Sequence, residues 1–331
     1  MSGVTDTAPA RSPWLSASAW RALFRDRPII PLVALLVLLV VLFELGPSSV
    51  NLNWAAFVLR QAVPLAILAG CQTLTMLTGG IDLSVGAVAS MSGFLVATLV
   101  GPQGLPVAIL VALLAAGLAG LVTGIGVGIF RVHPLIMTLG MGLVVLGLSN
   151  VWQLQMVQTG SGVPAELRAL GSNLFLGIVP YSLLVFVPLA LLILLGLRRT
   201  GFGRLLYAIG DNPVAARLAG ARAWQVIIVL YVISAVLAAI AGLLISGLNN
   251  TASVTLADSY VLPSVAAAVV GGTSILGGRG GFGGTIVGTL ILTVITSLLN
   301  SLGYPAAVNQ ILFGAIIVAV AAAYTRVTAE S

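Results

Sequence analysis

Apolar runs of membrane-crossing length dominate this chain and leave it few ways to fold. They recur near residues 29–45, 61–78, 84–100, 105–130, 135–153, 177–197, 224–247, 261–276, 284–302 and 307–324. A helix needs roughly 20 mainly apolar residues to cross the hydrocarbon core of a bilayer, within a range of about 17–25. A soluble domain carries about 25% charged residues; this chain carries 7%. Its 39 glycines fit the higher glycine content of membrane helices. The expected fold class is an all-α polytopic membrane protein with about ten transmembrane helices and no soluble domain. The run at 29–45 is long for a signal peptide, and no A-x-A site follows in "FELGPSSVN", so it is read as an uncleaved first span. Residues 51–60 are expected to form a short interfacial helix anchored by Trp54.

The basic residues set the orientation. All 14 are arginine and none is lysine. With ten spans and the N-terminus inside, Arg11, Arg21, Arg25, Arg27, Arg131, Arg198, Arg199, Arg204, Arg217, Arg222, Arg279 and Arg326 fall on the inner side. Only Arg60 and Arg168 fall outside. That asymmetry satisfies the positive-inside rule, supports the span count and places both termini in the cytoplasm. The net charge of +6 is therefore a topology signal, and no nucleic-acid partner is needed to explain it. The expected organisation is a cytoplasmic N-terminal segment (1–28), a transmembrane domain (29–325) with one long inner loop at 198–223, and a short cytoplasmic tail (326–331).

Several chemistries are excluded. A P-loop requires G-x-x-x-x-G-K-[ST], and there is no lysine to complete it or to form a Schiff base. Cys71 has no partner for a disulfide, and one histidine with eight acids leaves no metal site, so neither a metal nor a cofactor is expected. Gly278, Gly280 and Gly283 spell G-x-G-x-x-G, but the strand and βαβ unit that a dinucleotide site requires are missing. His133 stands beside Pro134 at a helix start and is read as a surface histidine, not as the base for Ser92 in an intramembrane protease.

What needs explaining is "LTGGIDLSVGA" at 77–87, where an acid interrupts an apolar chain. Gly79, Gly80 and Gly86 around Asp82 and Ser84 read as a break between helices, with Asp82 and Ser84 capping the helix that follows. Interrupted spans are also pointers to transport pathways. Gly271, Gly272 and Thr273 open a second Gly-rich stretch, 271–285, read as a short turn with close helix packing. Gly284 and Gly288, four apart, suit tight contact in lipid. Offsetting spans 2–5 against 7–10 suggests an inverted repeat with Gly-rich stretches at 79–86 and 271–284. Inside the spans, Gln72, Thr73, Thr75, Ser90, Ser92, Thr138 and Asn150 are either helix-to-helix hydrogen bonds or lining of a mildly polar path. In the inner loop, Asp211 or Asn212 can cap a short helix over 213–221, with Pro213 in its first turn.

Four stretches in order carry a family resemblance: "LTGGIDLSVGAVASMSG" (77–93), "HPLIMTLGM" (133–141), "YAIGDNPVAARLAGARAW" (207–224) and "YVLPSVAAAVVGGTSILGGRGGFGGTIVGTL" (260–290). Together they resemble the permease subunits of ribose- and xylose-type ABC sugar importers, over roughly residues 50–322. The resemblance implies a cobalamin-importer-like fold and two permease copies around one path. It further implies a separate cytoplasmic ATPase, a periplasmic substrate-binding protein and a small sugar as solute. "DNPVAARLAG" resembles the segment that couples to the ATPase, with Asn212, Ala215, Ala216 and Gly220 matching. Pro263 and Asp211 depart from commoner choices of the family and leave the solute open. The competing expectations are an ion-coupled secondary transporter using Asp82 and a permease for a non-sugar solute.

Overall fold

The computed structural model describes residues 29–44, 51–156 and 162–329, with side chains described for 35–41, 44, 51–155 and 162–319. The described chain is helical apart from one small hairpin. In order come α1 (Ile29–Glu44), α2 (Leu52–Met76), α3 (Val85–Gln103), α4 (Leu105–Gly128), α5 (Pro134–Met156), α6 (Ala165–Ser172), β1 (Leu174–Phe175) and β2 (Val179–Pro180). They are followed by α7 (Ser182–Arg199), α8 (Gly201–Asp211), α9 (Pro213–Leu218), α10 (Ala223–Asn249), a 3-10 turn (Asp258–Tyr260), α11 (Val261–Val270), α12 (Phe282–Ser301) and α13 (Ala306–Ala329). Among the described residues, the seven helices α2, α3, α4, α5, α7, α10 and α12 are long and apolar enough to cross a membrane.

Helix ends explain where the expected spans differ. The run at 261–276 is not one helix. α11 stops at Val270 because Gly272, at φ 86°, turns the chain. Thr273 N–H then donates to the Ala268 carbonyl and Gly272 N–H to the Val269 carbonyl, the paired bonds of a Schellman cap. Gly79 (φ 79°) ends α2 and Gly220 (φ 86°) ends α9 in the same way. The run at 177–197 becomes helical only at Ser182, since β1 and β2 precede it, with both turn residues, Leu176 and Gly177, at positive φ. The separate interfacial helix at 51–60 does not form. α2 runs unbroken through Pro64, and the Trp54 indole N–H donates to Ser297 Oγ of α12 at 3.0 Å.

α10 is the centre of the bundle, packed against α2, α3, α4 and α6. Its contact with α4 is made at Gly120, Gly124 and Gly128, which face Tyr231, Ile228 and Trp224. On its other side Gly242 lies on the Ala89 carbonyl of α3, and Gly93 of α3 lies against Ser246. Small residues at spacing four let membrane helices approach closely, so backbone packing replaces side-chain interdigitation here. Gly284 and Gly288 of α12 do the same against Gly271 and Ala267. By contrast α4, α5 and α7 leave rows of leucines outward, Leu114, Leu143 and Leu192 among them.

Gly242→Val drives a branched side chain into the α3 backbone and is expected to destabilise the protein by about 1–3 kcal/mol. Gly140, with nothing within 4 Å of an added Cβ, tolerates alanine. Melting curves in detergent check both, with Gly140→Ala expected unchanged or slightly raised.

Candidate functional site

Between the end of α2 and Val85, where α3 begins, the 77–87 stretch is irregular and held by side chains. After the Gly79 cap it turns back alongside α2. The Gln72 amide takes both backbone groups of Asp82: Nε2 donates to the Asp82 carbonyl at 2.8 Å, and Asp82 N–H donates to Oε1 at 3.2 Å. Thr138 of α5 does the same one residue to either side, donating to the Ile81 carbonyl at 3.2 Å and accepting from Leu83 N–H at 3.1 Å. Buried backbone groups in an apolar bundle need such partners.

Asp82 fastens this stretch to α10. Its Oδ1 accepts from Ser84 N–H (3.0 Å) and Ser84 Oγ (2.6 Å), and its Oδ2 from Ser234 Oγ (2.9 Å). The expected capping role is corrected. Ser84 occupies the cap position of α3 without a side-chain capping bond, because its hydroxyl is spent on Asp82. Asp82 closes a tight turn on Ser84 and reaches across to another helix. Sequence reasoning missed Ser234, whose contact lies 152 residues away. Gly80 fits beneath the Tyr231 phenol, and Gly86 beneath Val261 and the Ala257 carbonyl, where side chains would collide.

A second break lies at 250–260, which sequence reasoning did not single out. The chain leaves α10 through Asn250 in the left-handed region (φ 52°) and turns back beside α3. There Ala257 N–H donates to Ser90 Oγ at 2.8 Å. The two Gly-rich stretches proposed as equivalent are instead joined at one end: Gly278 N–H donates to the Leu77 carbonyl at 3.0 Å. Equivalent points of an inverted pair would lie at opposite ends, so that pairing of 79–86 with 271–284 fails. Gly271 and Thr273 are buried in this junction, with Gly271 against Gly284 and Thr273 against Gly280. Of the other polar positions, Thr73 meets Thr285 at 2.6 Å, Ser92 and Thr75 bond carbonyls of their own helices, and Asn150 is exposed.

Beside that junction lies α9. Asn212 caps it, accepting from Val214 and Ala215 N–H at 3.1 and 2.9 Å, and Pro213 opens it. It ends at Leu218, shorter than the expected 213–221, because Gly220 reverses the chain. Ala215 is exposed and Ala216 buried, while Val214 and Leu218, which the motif did not single out, are 58% and 85% exposed. A cleft of about 920 Å³ runs beside it, lined in part by Arg131, His133, Arg217, Arg222 and Trp224. The glycine contacts of α8 complete this basic end, with Gly210 against Leu77 and Gly278.

Buried polar breaks inside an apolar helical bundle, with a short capped helix at its arginine-rich end, define a multi-pass membrane permease. Residues 54–321 match the family described as the permease component of the branched-chain amino acid transport system. The ribose import permease protein RbsC of Bacillus subtilis (strain 168) is 36% identical over 87% of this chain and 89% of its own length. The fructose import permease protein FrcC of Rhizobium meliloti is 32% identical over 86% and 82%, respectively. The autoinducer 2 import system permease protein LsrC of Escherichia coli O157:H7 is 33% identical over 89% and 86%. No solved structure matches the chain. The chain belongs to this family of ABC-transporter permeases, alongside the permeases of sugar importers, and is a membrane subunit rather than an enzyme.

Ser234→Ala leaves Asp82 Oδ2 without its donor in a buried site and is expected to cost about 1–3 kcal/mol. The loss is read as a lowered melting temperature in detergent, with Ser234→Thr retaining the hydroxyl and recovering part of it.

Proposed function

We propose that this chain forms the solute path of a bacterial ABC importer for a monosaccharide of the ribose or xylose kind. A periplasmic binding protein delivers the sugar, separate cytoplasmic ATPase subunits supply the energy, and a second copy of this chain completes the path. The similarity to ribose and fructose import permeases supports the solute class. Ten crossings are proposed: α1, α2, α3, α4, α5, α7, α10, the broken stretch 250–270, α12 and α13. In that order both termini face the cytoplasm, and the basic end is the cytoplasmic one. The fold is proposed to be cobalamin-importer-like, with α2–α5 and α10–α13 as inverted repeats. The second member of each set begins after a break, at 77–84 and at 250–260, and the two breaks enter from opposite ends.

One observation carries the coupling mechanism. α9 is joined to α10 by the short link 219–222, where Gly220 reverses the chain, and Ser234 of α10 holds Asp82 of the break. Movement of α9 by a partner ATPase is therefore transmitted through that link and along α10 to the irregular stretch. The loaded binding protein must contact the inward- and outward-open states differently for delivery to shift their balance. Within this reading Asp82 positions the break and does not bind solute. Both its oxygens already accept hydrogen bonds, which weighs against an ion-coupled transporter. A non-sugar solute is the second reading, favoured by the similarity to the autoinducer 2 permease.

Purification in gentle detergent from the native membrane, with co-purifying subunits identified and weighed, tests the assembly. Two permease copies with two ATPase domains are expected. Val214→Asp with Leu218→Asp, both at exposed positions, is expected to lose the ATPase while the permease remains folded; a charge at buried Ala216 would unseat the helix itself. A chain that purifies alone and carries solute in liposomes without ATP would overturn the reading. Asp82→Asn is expected to insert normally and lower uptake, and full uptake would remove Asp82 from the mechanism.

A further inference from the structure

Away from the basic end, a cavity of about 230 Å³ opens between α2, the 3-10 turn with the start of α11, and the second half of α12. Drug-sized ligand sites are roughly 300–1,000 Å³, so this one suits a smaller solute. Besides Tyr260, Thr293 and Ser297, its polar lining consists of Gln61, Ser259, Thr296 and Asn300. Phe57 and Phe313 add aromatic surface, and none of the lining residues is charged.

The fold leaves Gln61, Ser259, Thr296 and Asn300 with hydrogen-bonding capacity to spare, whereas Thr293 and Ser297 are bonded to Thr289 and Trp54. Gln61, Ser259 and Thr296 hydrogen-bond to no described residue through their side chains. Thr296 is the informative case. Its neighbours Thr285, Thr289 and Thr293 on α12 each bond the carbonyl four residues back, as threonines in apolar helices do, and Thr296 does not. Asn300 Oδ1 accepts from Asn309 Nδ2 at 3.4 Å, leaving the Asn300 amide N–H groups free to donate. Asn309, 7% exposed, keeps its own Oδ1 without a partner. Unused polar groups within membrane spans are costly unless they face a water-filled cavity. The cavity also abuts the broken stretch, where discontinuous helices place transporter sites. Amides, hydroxyls and aromatic faces without charge are the donor set for a neutral molecule rich in hydroxyl groups.

We propose that this cavity is a solute subsite whose Gln61, Ser259, Thr296 and Asn300 hydrogen-bond the hydroxyls of a neutral polyhydroxylated solute. It rests on the importer reading above and assigns the contact residues within it.

Two measurements on the full importer test it. In the first, Thr296→Cys and Asn300→Cys are exposed to a charged, membrane-impermeant thiol reagent. Both are expected to label from outside, whereas buried Cys71 and Leu148→Cys on the apolar face of α5 stay silent. Absence of label at 296 and 300 would make the cavity a lipid-filled groove and overturn the proposal. In the second, uptake of radiolabelled D-ribose, D-xylose and D-fructose is compared for the wild type, Gln61→Leu and Thr296→Val. These substitutions remove groups that bond nothing in the protein, so a structural role predicts unchanged uptake. The proposal predicts an unchanged melting temperature and ATPase recovery with uptake about tenfold lower, the scale of one lost hydrogen bond. Unchanged uptake in both variants overturns it, as does a wild-type importer that assembles with its ATPase yet carries none of the three sugars. A chain that purifies without an ATPase overturns the importer reading itself, which is a different result.

Discussion

Irregular backbone inside an apolar bundle survives only where side chains replace the water it would otherwise bond, and this fold depends on that substitution. At 81–84 side chains bond the backbone at four successive positions. Gln72 serves Asp82, Thr138 serves Ile81 and Leu83, and Asp82 serves Ser84. At the second break Ser90 serves Ala257. Gln72, Thr138 and Ser90 each sit on a regular helix, so the breaks are as well positioned as the helices that hold them. In the proposed mechanism this makes a break a part that moves as a unit when its supporting helices move.

The rest of the bundle is arranged around α10. Glycine contacts bring α3 and α4 onto it at backbone distance, and the Asp82–Ser234 hydrogen bond adds a polar tie at the height of the break. The capped helix α9 leads into α10 through the Gly220 reversal, so the proposed coupling segment is joined by a four-residue link to the rod that holds the break. The basic cleft beside α9 places Arg131, Arg217 and Arg222 around that rod's start.

Much of this was legible in the sequence because the signals were local. Apolar run length located the long helices, Asn212-Pro213 located the start of α9, and glycine spacing located the α11–α12 contact. What was missed needed distant partners. Nothing near Asp82 announces Ser234, and without Ser234 the acid reads as a helix cap. Nothing near Trp54 announces its partner Ser297, which lies 243 residues on. Composition located the Gly-rich stretch at 271–285, but glycine content alone did not reveal that it meets Leu77 at the same end of the bundle. The polar row Thr293, Thr296, Ser297 and Asn300 follows helical spacing in "TVITSLLN". Its meaning appears only once α2 supplies Gln61 opposite.

The double capping of α9 carries a kinetic consequence. A six-residue helix is far too short to hold itself together in water. Asn212 at one end and the Gly220 reversal at the other keep this one formed before any partner arrives. In the proposed assembly a docking subunit meets a finished knob and does not have to order a loop, which removes a conformational entropy cost from association. On that proposal encounter, and not folding on the partner, sets the on-rate, while contacts made through the exposed Leu218 and Val214 would govern residence time.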